Sequence, residues 1–161
     1  MGRTLDPSRL GDHIDRLYRA ACALTGSRLA ADDLVQDTYA KVLAKPRLLR
    51  NDDDVGYLLR TMRNLFYDER RQAARRATDP VDPEDMERFE GAPGPQTAVE
   101  QRELLDGIAA LPPEFRDVLV AVDVAGLSYK EASKLLDAPE GTVMSRLYRA
   151  RKRVIEAYGP R

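Results

Sequence analysis

Residues 126–153 read G-L-S-Y-K-E-A-S-K-L-L-D-A-P-E-G-T-V-M-S-R-L-Y-R-A-R-K-R. Ser128 stands three residues before Glu131, which is the spacing of a capping box at the start of a helix. The apolar residues that follow fall on one helical face: Ala132, Leu135 and Leu136. The first part of this stretch is therefore predicted to be a short, capped helix with one buried side.

A second helix follows a turn at 137–138, because Pro139 suits the first helical position, where its missing N–H costs nothing. We expect this helix to run to about residue 156. Its apolar residues recur at steps of three and four and face inward: Val143, Leu147, Ala150 and Val154. Its other residues lie outward, with Tyr148 near the border: Thr142, Ser145, Arg146, Arg149 and Lys152. Two helices joined by a tight turn, the second of them basic, are typical of a helix-turn-helix that enters a DNA major groove. The charge alone is equally compatible with a helical hairpin whose basic face is solvated.

The segments S-Y-K-E-A at 128–132 and P-E-G-T-V-M-S-R-L-Y-R-A-R at 139–151 resemble the C-terminal domain of extracytoplasmic-function sigma factors. These are the small two-domain sigma factors of bacterial RNA polymerase. The resemblance implies that this domain reads the −35 promoter element as duplex DNA. The residues implied in that contact are Thr142, Met144, Ser145, Arg146, Tyr148, Arg149 and Lys152. Met144 stands where many members carry Arg or Lys, so one basic contact of the family is missing here.

The composition is that of a globular protein. Of the 161 residues, 43% are hydrophobic and 33% are charged, and no apolar run approaches the length of a membrane span. Because no secretory signal is recognisable at the N-terminus, we expect a cytoplasmic protein. The single cysteine, Cys22, excludes an internal disulfide framework and is expected in the core. One cysteine and one histidine are too few for a typical zinc site.

Charge and turn-forming residues divide the chain into three parts. Basic residues concentrate at 60–76 and from 126 onward, whereas 78–97 is acidic and contains several prolines and glycines. We therefore expect an all-α fold of two small helical domains, residues 1–77 and 98–161, joined by a flexible acidic linker at 78–97. Two basic patches on a chain whose net charge is −1 indicate two separate nucleic-acid contacts.

Helical periodicity predicts three helices in the first domain and four in the second, with no strand. Those of the first domain are expected from Pro7 to Gly26, at 28–44 and at about 55–74. Helices at about 98–110 and from Pro112–Pro113 to Gly126 precede the helix-turn-helix. The expected inward residues of the first helix are Leu10, Ile14, Leu17, Tyr18, Ala21 and Leu24. Those of the fourth helix are Leu104, Leu105 and Ile108.

The segment D-L-V-Q-D-T-Y at 33–39 resembles the polymerase-binding helix of the same family. Its outer face carries acidic and polar groups: Asp33, Gln36, Asp37 and Lys41. Such a face can pair with basic and polar groups on a partner helix, although spacing alone favours an ordinary solvated face. The resemblance implies that the partner is the coiled-coil clamp of the beta-prime subunit of core RNA polymerase.

The segment Y-L-L-R-T-M-R-N-L-F-Y-D-E-R-R at 57–71 resembles the helix that opens the −10 promoter element. Bases can be captured only once they are unstacked, so amide, guanidinium and aromatic groups at the rim of a pocket are the chemistry required. The residues that provide such groups are Arg60, Arg63, Asn64 and Tyr67. Arg70 and Arg71, at the basic end of the helix, are suited to phosphates. Tyr57 stands where the family usually has Trp, and an aromatic is thus retained.

The resemblance implies a sigma factor without enzymatic activity, cofactor, metal or small-molecule substrate. Its partners would be core polymerase, promoter DNA and an anti-sigma factor, which is membrane-bound in many members. Two alternatives are a stand-alone helix-turn-helix regulator and a sigma-like adaptor that titrates an anti-sigma factor. A nuclease built on the aspartates at 52–54 is disfavoured, because adjacent carboxylates point in different directions and helix capping explains them better.

Overall fold

Helices form nearly all of the chain that the structure, a computed structural model, describes: residues 3–4, 7–44, 48–49, 54–76 and 97–159. The α-helices in these ranges are α1 (Ile14–Thr25), α2 (Arg28–Ala44), α3 (Asp54–Arg76), α4 (Thr97–Ala109), α5 (Pro113–Leu119), α6 (Tyr129–Leu136) and α7 (Glu140–Tyr158). A 3₁₀ helix at Pro7–His13 leads into α1, and a π-helix at Val120–Val124 continues α5. The predicted all-α fold class is confirmed. No helix in the described ranges is long and apolar enough to cross a bilayer.

A short backbone pairing ties the N-terminal segment to the segment after α2. Arg3–Thr4 pairs antiparallel with Leu48–Leu49, with Arg3 opposite Leu49. The prediction that the chain contains no strand was therefore wrong at these four residues, although the pairing is too short to change the fold class.

The first half, α1 to α3, is a three-helix bundle around a largely apolar centre. The side chains at this centre are almost completely buried: Leu17, Leu34, Leu58 and Met62. Gly26 ends α1 in the left-handed conformation (φ 70°), as predicted. Ile14, predicted to face inward, is instead 47% exposed. Ile14 is the first residue of α1, and helical phase alone does not show whether a neighbouring element extends far enough to cover that end.

The second half contains the predicted helix-turn-helix in α6 and α7. The Ser128 hydroxyl accepts a hydrogen bond from the Glu131 N–H, and a Glu131 carboxylate oxygen accepts one from the Ser128 N–H, both at 3.1 Å. Asp137 ends α6 with a left-handed backbone (φ 51°), and Pro139 stands at the N-cap of α7, just before its first residue. The inward side chains Val143, Leu147 and Ala150 are buried.

Helix α4 packs against the end of α7. The Tyr158 ring lies so close to Gly107 that a Cβ there would meet it at 2.2 Å. Ile108 is buried as predicted, but Leu104 is 41% exposed, so its prediction was wrong. Because α7 ends at Tyr158, Leu104 lies one turn of α4 beyond the surface that α7 covers.

The two halves of the chain pack against each other. Leu24, Leu59 and Met62 of the first half meet apolar residues of the second half in one continuous core, and those partners are Val120, Ala121, Leu135 and Leu136. Apart from Thr97, the predicted linker at 78–97 lies outside the described residues. That each half folds independently stays a prediction.

Candidate nucleic-acid interface

The outer surface of α7 carries all seven residues that the sequence assigned to duplex DNA, and we call this set the α7 face. Tyr148 is 69% exposed and Met144 is 49% exposed. Ser145, Arg149 and Lys152 are also exposed, whereas Thr142 and Arg146 are half-buried. Because the buried residues of α7 take up its other side, this outer surface is available to a groove.

Two further basic residues of α7 contact other residues of the second half instead. The Arg151 guanidinium donates to both carboxylate oxygens of Asp123, at 2.9 and 2.6 Å, and these bonds raise the pKa of Arg151 above its ordinary value. The Arg153 guanidinium stacks 4.4 Å from the centre of the Phe115 ring. Two cations of the basic run at the end of α7 are therefore occupied by contacts within the second half, which charge counting alone did not resolve.

The six residues that the sequence assigned to the −10 element lie along α3, and we call this set the α3 face. Arg60, Asn64, Arg70 and Arg71 are exposed. Arg60 donates to the main-chain carbonyl of Lys134 at 3.2 Å. Arg70 stacks 4.6 Å from the Phe66 ring centre, and burial, with the nearby Arg116 charge, lowers the pKa of Arg70.

The other two members of the α3 face, Arg63 and Tyr67, bind residues of α5. Arg63 Nε donates to Asp117 Oδ2 at 3.1 Å, and the Tyr67 hydroxyl lies 2.8 and 2.9 Å from the two Asp117 carboxylate oxygens. Arg116 Nη2 donates to the Tyr67 hydroxyl oxygen at 2.9 Å. Burial is the main cause that raises the pKa of Tyr67. We call these four residues the α3–α5 cluster.

Sequence reasoning missed Arg116 and Asp117, although both are almost completely buried (1% and 7% exposed). The one local signal was a charged pair that stands between two apolar residues, Phe115 and Val118, in a predicted helix. A buried charge needs a partner, but that partner lies about 50 positions earlier in the sequence, beyond the reach of any helical periodicity.

A cleft of about 650 Å³ lies beside the α3–α5 cluster and joins the predicted sites. Four residues of the α3 face line it: Arg63, Asn64, Tyr67 and Arg71. Arg146 of the α7 face and Lys41 of α2 line it as well. The structure thus brings together residues that the sequence assigned to two separate DNA elements and to the polymerase.

The predicted polymerase-binding residues Asp33, Gln36, Asp37 and Lys41 are all exposed on α2, and we call this set the α2 face. The side of α2 that faces the core carries the buried residues Leu34, Val35, Thr38 and Val42. Glu69 of α3 adds a carboxylate next to this face, which sequence reasoning also missed. Burial raises the pKa of Glu69, and the Asp37 and Asp33 carboxylates raise it further.

Comparison with known protein families matches both halves of the chain. Residues 10–76 match Sigma-70 region 2, and residues 101–154 match Sigma-70, region 4. The chain belongs to the sigma-70 family. A relative in Mycolicibacterium smegmatis, the ECF RNA polymerase sigma factor SigE, is 35% identical over 147 residues. That alignment covers 88% of this chain and 57% of the relative, so the chain spans little more than half of that protein's length. The ECF RNA polymerase sigma factor EcfG of Rhodopseudomonas palustris is 30% identical over 142 residues, covering 88% of this chain and 78% of EcfG.

A solved structure shares the fold of the whole chain. The sigma factor RpoE from Bartonella quintana, determined in complex with the anti-sigma factor NepR, aligns with a TM-score of 0.79 and 26% identity. The alignment covers 92% of this chain and 93% of that one, so it includes both halves and their relative placement. The resemblance drawn from the sequence is thereby confirmed at the level of family and fold.

Proposed function

We propose that this chain is an ECF sigma factor that core RNA polymerase uses to recognise and open promoters. The observation that carries the proposal is the co-occurrence of regions 2 and 4 in one chain, with most of the predicted contact residues of each region exposed. The chain would act in the cytoplasm and would itself be no enzyme, because bond formation belongs to the polymerase.

The α2 face would attach the chain to the clamp helices of the beta-prime subunit. Its side chains are exposed and none belongs to the core, so they are free to meet a basic partner surface. With Glu69 beside Asp37, this region carries more negative charge than α2 alone provides.

The α3 face would capture bases of the separated −10 strand. Asn64 offers an exposed amide, and Arg60, Arg70 and Arg71 offer cations to phosphates on the same helix. The α7 face would read the −35 duplex, with Arg146 and Arg149 as hydrogen-bond donors and Met144 as an apolar contact.

An anti-sigma factor is the proposed third partner. The chain shares its fold and the placement of its halves with a sigma factor whose structure was determined with such an inhibitor. The inhibitor would hold the chain in a similar arrangement until a signal releases it.

Reconstituted transcription tests the proposal directly. Purified core polymerase with and without this chain is challenged with a random promoter library, and promoter-specific transcripts are expected only when the chain is present. On a promoter so selected, Asn64→Ala should keep holoenzyme assembly but reduce permanganate reactivity of thymines near the start site. The matched control is Gln72→Ala, which removes another exposed amide from α3 outside the proposed contacts.

The alternatives give different results in the same experiment. A stand-alone regulator would bind duplex DNA tightly and specifically without polymerase, because a dimer contacts two half-sites of its operator. A sigma-like adaptor would bind an anti-sigma factor but direct no transcription. Normal permanganate reactivity with Asn64→Ala would contradict the role assigned to the α3 face.

A further inference from the structure

The Asp117 carboxylate occupies the donor groups of two residues on the α3 face. Arg63 approaches one carboxylate oxygen with Nε at 3.1 Å and also with Nη2 at 3.1 Å. The Tyr67 hydroxyl lies within 2.9 Å of both oxygens. These are the two residues of the α3 face that are not exposed.

This contact is shielded from water on the α5 side. Asp117 is 7% exposed and the Arg63 side chain is 33% exposed. Arg116 completes the enclosure, because its guanidinium lies 5.1 Å from the Phe66 ring centre and bonds to the Tyr67 hydroxyl and the Ala109 carbonyl. Charge-assisted hydrogen bonds in such surroundings are stronger than those between solvated groups.

Chemically, a carboxylate held by a guanidinium and a hydroxyl imitates nucleic acid. Phosphate oxygens and base carbonyls accept hydrogen bonds from the same two kinds of donor. We propose that Asp117 is an internal mimic of the promoter strand, which occupies Arg63 and Tyr67 and holds the free protein in a closed, promoter-incompetent state. The proposal rests on the function proposed above for the α3 face.

Distance shows that the closed state cannot serve both promoter elements. About 25 base pairs separate the −10 and −35 elements, which at ~3.4 Å per pair is roughly 85 Å. Asn64 and Arg146 nevertheless line one cleft of about 650 Å³. The two halves must therefore separate before the α3 face and the α7 face can engage the two elements.

The rest of the boundary between the halves supports the closed state. Gly26 at the end of α1 approaches α4 so closely that a Cβ there would lie 3.2 Å from Ala109 Cβ. Leu24 and Met62 of the first half pack near Val120 of the second. Because DNA binds only the open fraction, its apparent affinity for the free chain falls in proportion to that fraction. Core polymerase would displace the mimic by binding the separated halves.

Asp117→Asn tests the mimic, since it removes the negative charge but keeps the shape. The probe is a fluorescein-labelled, random-sequence, single-stranded DNA of 15 nucleotides, followed by fluorescence anisotropy with the full chain. We expect affinity to rise about tenfold or more as the open fraction grows, and the radius of gyration from small-angle X-ray scattering to increase.

The matched control is Asp123→Asn, which breaks another Asp–Arg pair, with Arg151, inside the second half. It adds the same charge and should change neither quantity. Equal affinity and equal radius for Asp117→Asn and the wild type would overturn the proposal. So would equal gains in the two variants, because the effect would then be one of net charge.

A reversible lock tests the closed state even if Asp117→Asn fails to fold. The double variant Gly26→Cys with Ala109→Cys places two Cβ atoms at 3.2 Å, slightly below the ~3.5–4.5 Å of disulfides, at a position where Gly26 has φ 70°. Cys22 is buried and lies outside this pair. The oxidised variant should lose both DNA binding and transcription with core polymerase, and a reductant should restore them. Oxidised and reduced forms of equal activity would overturn the proposal.

The readouts separate this proposal from the proposed function. If Asp117→Asn expands the protein but no variant binds the DNA or directs transcription, the contact is a latch and the sigma-factor function is wrong. If the wild type directs transcription while Asp117→Asn and the oxidised double variant Gly26→Cys with Ala109→Cys leave radius, binding and activity unchanged, the function stands and the mimic is wrong.

Discussion

Reversing the charge of the α2 face separates polymerase attachment from folding. The perturbation is the double variant Asp33→Lys with Asp37→Lys, which changes the net charge from −1 to +3, since each substitution adds two charges. Both side chains are exposed on α2, and neither contributes to the core. The raised pKa of Glu69, caused by burial and by these two carboxylates, shows that like charges crowd this region.

The magnitude follows from these positions. The lysine introduced at position 37 would face Glu69 as a partner rather than as a repelling charge, so the free energy of unfolding should change by no more than about 0.5 kcal/mol. Binding to core polymerase should weaken far more, because each reversal replaces an attraction by a repulsion. At roughly 2 kcal/mol or more for each, the loss is about 4 kcal/mol, or roughly a thousandfold in Kd.

Surface plasmon resonance with immobilised core polymerase measures this loss, and thermal circular dichroism checks the fold. The control is Asp12→Lys with Asp32→Lys, which makes the same charge change at two exposed aspartates outside the α2 face. Unchanged affinity of the variant altered at Asp33 and Asp37 would refute the assignment of the α2 face. An equal loss in the control would show that bulk charge, and not this surface, governs the attachment.

Three further predictions concern the helix-turn-helix. Ser128→Ala should lower the free energy of unfolding by about 1 kcal/mol in urea titrations, because it removes one side of the capping box. Hydrogen bonds from the Ser128 backbone and side chain lower the pKa of Glu131, so its stabilisation is present above its ordinary pKa of 4.5 and is lost as the pH falls through the lower folded-state pKa. Glu131→Gln should lack this loss, and a titration curve identical to that of the wild type would contradict the assignment. Arg146→Ala or Arg149→Ala should weaken holoenzyme binding to a selected promoter by about 1–3 kcal/mol if the residue contacts a base. If the residue contacts phosphate instead, the loss should be similar on all sequences. Wild-type binding by both variants would exclude the α7 face as the DNA surface.

Local signals in the sequence were sufficient for most helices. Helix α2 spans the residues predicted for it, and the Ser128–Glu131 capping box forms as its spacing indicated. These features depend on residues within one or two turns of each other. The predictions for Ile14 and Leu104 were wrong because burial also depends on how far the neighbouring elements extend: Ile14 lies at the first residue of α1, and Leu104 lies beyond the end of α7.

The candidate site likewise contains residues that local sequence patterns could place and residues that they could not. Helical phase correctly placed the α2 face and five of the seven residues of the α7 face on the surface, because exposure there depends only on which side of one helix is apolar. It did not place Arg63 and Tyr67, whose environment depends on Asp117 in the other half of the chain. The one available sign was the charged pair Arg116 and Asp117 between apolar residues of α5. It indicated that these charges need partners, but not which residues those partners are.

If Asp117 is the mimic proposed above, the α3–α5 cluster also links the affinity for DNA to the stability of the closed state. Arg63 and Tyr67 are suited to nucleic acid because they donate hydrogen bonds to anionic or carbonyl oxygens. The same property makes them bind Asp117 when no DNA is present, at distances of 2.8–3.1 Å. A stronger hydrogen-bond donor at position 63 or 67 would bind both DNA and the Asp117 carboxylate more tightly. Part of the gain in DNA affinity would then be offset, because a smaller fraction of the protein would be open. The residue that can change this balance without altering the DNA-binding surface is therefore the acceptor, Asp117, and not either donor.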